Sequence, residues 1–466
     1  MRMAVRFVNI DHDTPLLLPP DMRDWVPENH LVHFVMAAVD ELDLSAVAVN
    51  ERGTGSEQYP PRMLLGLLIY SYATGVFSSR QIERCTYDSV ATRLLCADTH
   101  PDHDTLCTFR RQSRELLSRT FATVLEMAAR CGVLRVGGIT VAIDGTKVLA
   151  NASKHSAVSY GHAGETMREL DLEIEQLVRK AELADSVPLE DGLTVPEEIQ
   201  RREQRKAQLA KARAEIEARA SARAQAERSG YEAKMAQREA QRQEGKKPRG
   251  KAPEPPSQTP EPKDQYNFTD PESRIMKAGS GQHFEQSYNA QAAVEVDSRL
   301  IVGQSVCNAP NDKEQLAPTL DAMEDAAGPV SEVLIDSGFM SEKAVRGAES
   351  DAHGQPTGMT VFGAVQRKSH HRTVEDLEKR EQPPAPPADA PFEQQMAHRL
   401  ATREGRERYK LRKQTVEPVF GIIKEAMGFR RFSLRGLEKV TLEWTLVTLA
   451  YNFKRLFHMG ARLTEA

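Results

Sequence analysis

The sequence predicts an α/β domain that is split by an inserted helical arm and preceded by an all-helical region. Three observations predict it. Up to about residue 132 the apolar residues recur at helical spacing between capping and turn residues. After Gly137-Gly138 the period changes, and β-branched strand-like runs alternate with helical segments. Between these runs, residues 163–182 and 197–243 are rich in Ala, Glu, Arg, Lys and Gln, the composition of long exposed helices. The resulting division is 1–132 for the helical N-terminal region, 133–160 with 265–466 for the α/β domain, and 161–264 for the arm with its Pro-rich linker.

The elements follow in order. Asn29 or Glu28 opens a helix through Leu31, Phe34, Val35 and Ala38. Pro60-Pro61 precedes MLLGLLIYSYA, which stops near Gly75. Ser78 or Ser79 caps a short helix through Ile82. Asp104 caps one long helix that ends near Gly132. These short helices and tight turns have the form of a helix-turn-helix region. Arg110, Arg111, Arg114 and Arg119 lie along the last of them, either as a solvated face or as phosphate contacts. The strands are ITVAIDGTKV, SYNAQAAVEV, RLIVGQSVCN, VSEVLIDSGF and GMTVFGAV. A helix capped by Asn311 or Asp312 falls after the third. GKKPRGKAPEPPSQTPEPKDQ reads as a disordered linker. A long helical region follows from about residue 393.

Composition narrows the function classes. The chain has 466 residues, 40% hydrophobic and 28% charged, which excludes collagen-like and wholly disordered readings. No run approaches the length of a membrane span, and the start offers no signal-peptide pattern. Five cysteines fit a reducing cytoplasm better than a disulfide framework. The net charge is −5, yet Arg403 to Arg462 carries 14 basic residues against six acidic ones, a local field suited to phosphate.

Asp144 closes the strand VAID and Asp336 closes VLID. A carboxylate that ends an apolar strand must reach a polar cleft or make a turn. The pair reads either as hard oxygen ligands for Mg²⁺ or Mn²⁺ at one sheet edge, or as turn-forming Asp-Gly and Asp-Ser-Gly. Glu417 is the third candidate, with Arg412 and Lys424 beside it. Pro418 implies a kink or a helix start at Glu417. Cys96, His100, His103 and Cys107 are too crowded for a zinc module. His370-His371 is a basic loop, DNA-facing or merely solvated. GSGQHF near residue 281 is too weak for a phosphate loop. Trp444 reads as core.

In combination and in order, AIDGTKVLANAS, YNAQAAVE, NAPNDKEQLAP, VLIDSGF and YKLRKQTVEPVFGIIKEAMGFRRFSLRG resemble bacterial insertion-sequence transposases of the DDE class. DWVPENHLVHFV and PPRMLLGLLIYSYATGVFSSRQIE resemble the helical domain that precedes the catalytic core in that group. The resemblance implies an RNase H-like catalytic fold, with Asp144, Asp336 and Glu417 as catalytic residues holding two Mg²⁺ ions, or Mn²⁺. It maps the family's Tyr–Arg–Glu–Lys signature onto Tyr409, Arg412, Glu417 and Lys424, with the Arg412-to-Glu417 gap one residue longer than in the best-known version. Tyr409, Arg412 and Lys424, with Arg110 and Arg111 of the helical region, are the expected DNA contacts. The implied activity is binding of terminal inverted repeats, strand cleavage and strand transfer. The implied partners are double-stranded DNA of the element ends and target, and a second copy of the chain. The implied setting is cytoplasmic and nucleoid-associated, without a membrane. The alternative is a DNA-binding protein derived from a transposase that has lost catalysis.

Overall fold

A computed structural model of the chain describes residues 21–44, 47, 58–135, 137–184, 195–245, 248, 251–277, 283–351, 353–365, 384–387 and 389–461. The His370-His371 pair and most of the glycine stretch near residue 281 lie outside these residues.

Six helices come first: α1 Leu31–Asp40, α2 Pro61–Ala73, α3 Ser79–Asp88, α4 Val90–Leu95, α5 His103–Gln112 and α6 Arg114–Arg130. His30 caps α1 through its ring, and Pro61 starts α2 where a missing N–H does no harm. α2 is apolar on every side and is buried from Leu64 to Ala73. The expected long helix is in fact two. Asp102, rather than Asp104, caps α5 by accepting from the Thr105 N–H at 2.6 Å, and Ser113 leaves helical geometry and separates α5 from α6.

Strands β1 Ile139–Leu149, β2 Ala157–Ser159, β3 Gln265–Asn267, β4 Arg274–Lys277, β5 Phe284–Glu295, β6 Ile301–Cys307, β7 Val330–Ile335 and β8 Thr360–Gly363 follow. The short β3 and β4 carry too little pattern to be read from sequence. In the main sheet β5-β1-β7-β8 lie side by side, and β4 and β6 pair with β5. β5 runs antiparallel to β1, whereas β7 and β8 run parallel to it. Interleaved with the strands are α9 Leu316–Asp321 and α10 Glu342–Glu349. Three helices close the chain: α11 Phe392–Ala401, α12 Arg403–Gly421 and α13 Leu437–His458. Pro418 sits inside α12, so it neither starts nor ends that helix, and a π-helical turn over Ile422–Ala426 follows.

One apolar core runs from Val26 through α2, α6, the sheet and α13 to Leu456. The N-terminal helices and the sheet are therefore built around common side chains. α13 joins them: the Trp444 indole donates to the Gln291 carbonyl at 3.0 Å, and the Asn452 amide pairs with both backbone groups of Ile301. Among the described residues, no helix is long and apolar enough to cross a membrane.

The arm is α7 Tyr160–Ala184 and α8 Val195–Gln243, rooted on the β2–β3 ribbon. It has its own small core of Val158, Ala163, Leu209, Ala212, Ile216 and Tyr266, separate from the main one. Within the Pro-rich stretch, residues 251–259 are mostly exposed and without regular structure, Pro260 is buried, and Pro255 and Pro256 line the same cavity as Ala224 of α8. Ser159 stands opposite Gln265 in the ribbon. Replacing residues 160–264 with a two-residue Asn-Gly turn is thus expected to leave one cooperative melt, displaced by less than about 5 °C. Calorimetry checks this; loss of the cooperative transition would make the arm part of the main fold.

Candidate active site

The site lies at the middle of β1 and the carboxyl end of β7. Ile143 pairs with Ile335 in parallel register, so Asp144 and Asp336 stand at the same level; Asp336 follows the end of β7, but β1 runs on to Leu149, so Asp144 lies inside its strand and does not close it as expected. Asp144 Oδ1 accepts from the Gly145 N–H at 2.8 Å. Asp336 Oδ1 accepts from the Ser337 hydroxyl at 2.8 Å and the Gly338 N–H at 2.9 Å, which fixes the turn after β7. The third carboxylate arrives from α12, whose buried residues Val416, Val419 and Phe420 hold the helix down around Glu417.

Arg412 ties the three together. Its guanidinium stands 3.1 Å from Asp144 Oδ2, 4.0 Å from Asp336 Oδ2 and 3.6 Å from Glu417 Oε1, with the side chain only 7% exposed. The last two contacts share Nη2, so those oxygens are separated by no more than the two distances laid end to end. Burial alone would lower the Arg412 pKa, but Asp144, Tyr409, Asp336 and Glu417 outweigh it and the pKa is raised. Asp144 shows the opposite balance. Burial pushes its pKa up to about 6 despite the Arg412 charge. The site therefore holds a carboxylate that gains strongly from any further positive charge.

Tyr409 lies one turn before Arg412, half-buried and hydrogen-bonded to it, and burial raises its pKa. Lys424 lies in the π-helical turn that follows α12. The π-helical turn changes the helical phase, and the Lys424 ammonium donates to the Lys147 carbonyl at 3.0 Å, beside β1. Burial, then the charge of Arg430, lowers its pKa.

The two arginines of α5 part company. Arg111 is exposed and bonds only within its own helix, to the Cys107 carbonyl and the Thr108 hydroxyl. Arg110 is the correction. It is 4% exposed and donates to the Tyr72 hydroxyl at 2.8 Å, so it is a core residue with no surface for DNA. Arg114 and Arg119 are paired at the surface with Glu438 and Glu115. The cysteine–histidine run has local partners: His100 stacks on Tyr87 and contacts the Thr86 hydroxyl, His103 meets Glu83, and the Cys107 thiol donates to Ser79.

Sequence reading missed Asp312 as a site residue. It was taken as a helix cap, but its Oδ1 accepts from Asn289 Nδ2 at 2.6 Å and Gln291 Nε2 at 2.9 Å and meets the Lys147 ammonium at 3.5 Å. A Cβ on Gly145 would fall 2.7 Å from that same Oδ1 and 2.6 Å from Gln291 Nε2, so the residue after Asp144 must be glycine for these groups to close in. The signal lay in β5. Asn289 and Gln291, at alternate positions of β5 flanking Ala290, need polar partners when buried.

A family model described as "Transposase DDE domain" matches residues 387–457, which include Tyr409, Arg412, Glu417 and Lys424. A second, "Transposase domain (DUF772)", matches residues 20–112, from the start of the helical region to the end of α5. No curated protein and no solved structure matches the chain. With one matched transposase domain toward each end, and Asp144 and Asp336 in the sheet region between them, the chain is similar to the insertion-sequence DDE transposases.

Proposed function

We propose that the protein cuts the ends of its element and joins them to target DNA at the site formed by Asp144, Asp336 and Glu417. The observation that carries this reading is the convergence of three carboxylates, from β1, the turn after β7 and α12, on one buried guanidinium. Structural ion pairs need one acid per base; three acids around one cation concentrate negative charge where a phosphodiester must be attacked. The order β6-β5-β1-β7-β8, antiparallel on one side of β1 and parallel on the other, supports an RNase H-like description of the sheet.

The donor set fits Mg²⁺ or Mn²⁺, since carboxylate oxygens are hard ligands and three of them outnumber the single Arg412 charge. Asp144, Asp336 and Glu417 would hold the ions. When bound, they supply Lewis acidity at the scissile phosphate. Among the described residues no three acidic, histidine or cysteine side chains stand ready around a single point; Arg412 is what lies between these three. Tyr409, Arg412 and Lys424 line the approach of the strand and would contact its phosphates. Arg111, exposed on α5, is the contact proposed in the helical region, which would read the terminal inverted repeats. Two copies of the chain would hold the two ends.

The test is strand nicking by the full chain on DNA carrying the element's ends, with Mg²⁺ supplied. Glu417→Gln keeps the shape of the side chain and removes its charge. Its nicking rate is expected to fall at least about 100-fold, with gel-shift affinity for the same DNA retained. A Glu417→Gln protein that nicks at the wild-type rate would remove this residue from the reaction.

A further inference from the structure

Lys147 stands three residues beyond Asp144 on β1, opposite Asn289 of β5. Its ammonium has three hydrogens, and among the described residues one of them meets Asp312. The side chain is 18% exposed and that of Asp312 is 21% exposed, so the pair lies at the rim of the cleft rather than under it. Asp312 is itself locked. Asn289 and Gln291 are fully buried, and both direct their amide N–H groups at its Oδ1. This is a costly way to hold a surface ion pair. It is a reasonable way to aim a lysine.

The surroundings show what it is aimed at. The Lys424 ammonium is bonded to the backbone carbonyl of Lys147, so a second cation is held against the same residue. Lys147 and Arg430 both act on Lys424 as like charges. Arg430 is exposed and paired with Glu425, and Lys147 is paired with Asp312, whereas the Lys424 ammonium is held by a backbone carbonyl that leaves it hydrogens for an anion. The anion class that suits two ammonium groups beside the three carboxylates is a phosphodiester of the strand being processed.

We propose that Lys147 and Lys424 form one seat for a DNA backbone phosphate, and that Asp312 is the positioning residue that fixes Lys147 there. This rests on the transposase reading of the site. Asp312 touches neither the strand nor the reacting atoms; it acts through Lys147.

The test is binding, measured by fluorescence anisotropy against salt, of a short random-sequence duplex to the full-length protein with Ca²⁺ in place of Mg²⁺. Lys147→Gln is expected to weaken binding about tenfold and to flatten the log–log salt slope by about one. Lys147→Arg should keep the slope. Asp312→Asn carries the discriminating sign. Taking a negative charge out of a DNA cleft strengthens binding if charge alone matters, whereas loss of the aimed lysine weakens it, here by about threefold. Asp312→Asn placed on Lys147→Gln should then add no further loss. A duplex series with one neutral methylphosphonate at a time should find a position that weakens the wild type and leaves Lys147→Gln unaffected.

Melting curves of each variant identify any that fail to fold, and Lys147→Arg serves as the folded comparison. Unchanged slope and affinity in Lys147→Gln, or tighter binding by Asp312→Asn, overturns the proposal while the transposase reading stands. A wild-type protein that binds no DNA overturns both.

Discussion

Asp144→Asn is expected to give a protein that melts higher than the wild type in metal-free buffer at neutral pH and does not cut DNA. The two effects have one cause. Burial raises the Asp144 pKa from 3.8 in the unfolded chain to about 6 in the fold. Below pH 4 the carboxyl is neutral in both states, and the variant has no advantage. As pH rises through 6 the wild type must ionise a buried group that Arg412 only partly compensates, and that stability is lost. A shift of this size corresponds to about 3 kcal/mol at neutral pH. The variant should therefore gain across pH 4 to 6 and hold its gain above it. The same substitution removes the most buried of the three charged oxygen donors, so nicking should fall by at least about 1000-fold while gel-shift affinity for the element's ends persists. Calorimetry at pH 4 and pH 7.5, with a nicking assay on the same preparation, reads both. A variant that melts lower at pH 7.5 than the wild type would show that Asp144 is held mainly as the partner of Arg412. Retained nicking would remove it from the reaction.

How far the sequence revealed this site depended on the range of the interaction. β1 and β7 were legible as runs of β-branched and apolar residues leading to one aspartate each, although β1 continues past Asp144 to Leu149. Their adjacency was not, since parallel pairing is set by a long crossover rather than by a turn. Glu417 was placed through its resemblance to known transposases, yet Pro418 suggested a kink or a helix start there, and the structure keeps it inside α12, which starts at Arg403. The missing N–H of a proline costs one hydrogen bond, and the buried Val416, Val419 and Phe420 outweigh it. The break between α5 and α6 turns on the conformation of one serine within an unbroken helical pattern. The π-helical turn that carries Lys424 was not legible, because it adds no sequence period of its own. Asp312 was misread for a related reason: Asp before a helical run is a common cap, and only the buried amides of β5 give it a different task.

Arg110→Ala is expected to lower stability sharply and to leave the DNA contacts of the folded protein untouched, which reverses what the sequence of α5 implied. Arg110 donates to the Tyr72 hydroxyl, and Tyr72 in turn donates to Glu443 Oε1 at 3.4 Å. Glu443 is fully buried in α13 and also accepts from the Ser433 and Leu434 N–H groups at 2.9 and 3.0 Å. Burial raises the Glu443 pKa, with those backbone bonds and the Arg110 charge working against it. The chain thus fastens α5 and α2 to α13 through a buried acid and base. Removing the base leaves the acid buried without its compensating charge, an effect of about 3–5 kcal/mol. In a protein of this size that lowers the melting temperature by about 3–5 °C. Arg110→Leu with Glu443→Gln should recover part of the loss, because neither variant side chain is charged. Arg111→Ala, one residue on and exposed, should melt like the wild type and flatten the salt slope of DNA binding by about one. Thermal melts and salt titrations of the four proteins separate the roles. An Arg110→Ala protein that melts like the wild type and binds DNA less well would return this arginine to the surface, where the sequence first put it.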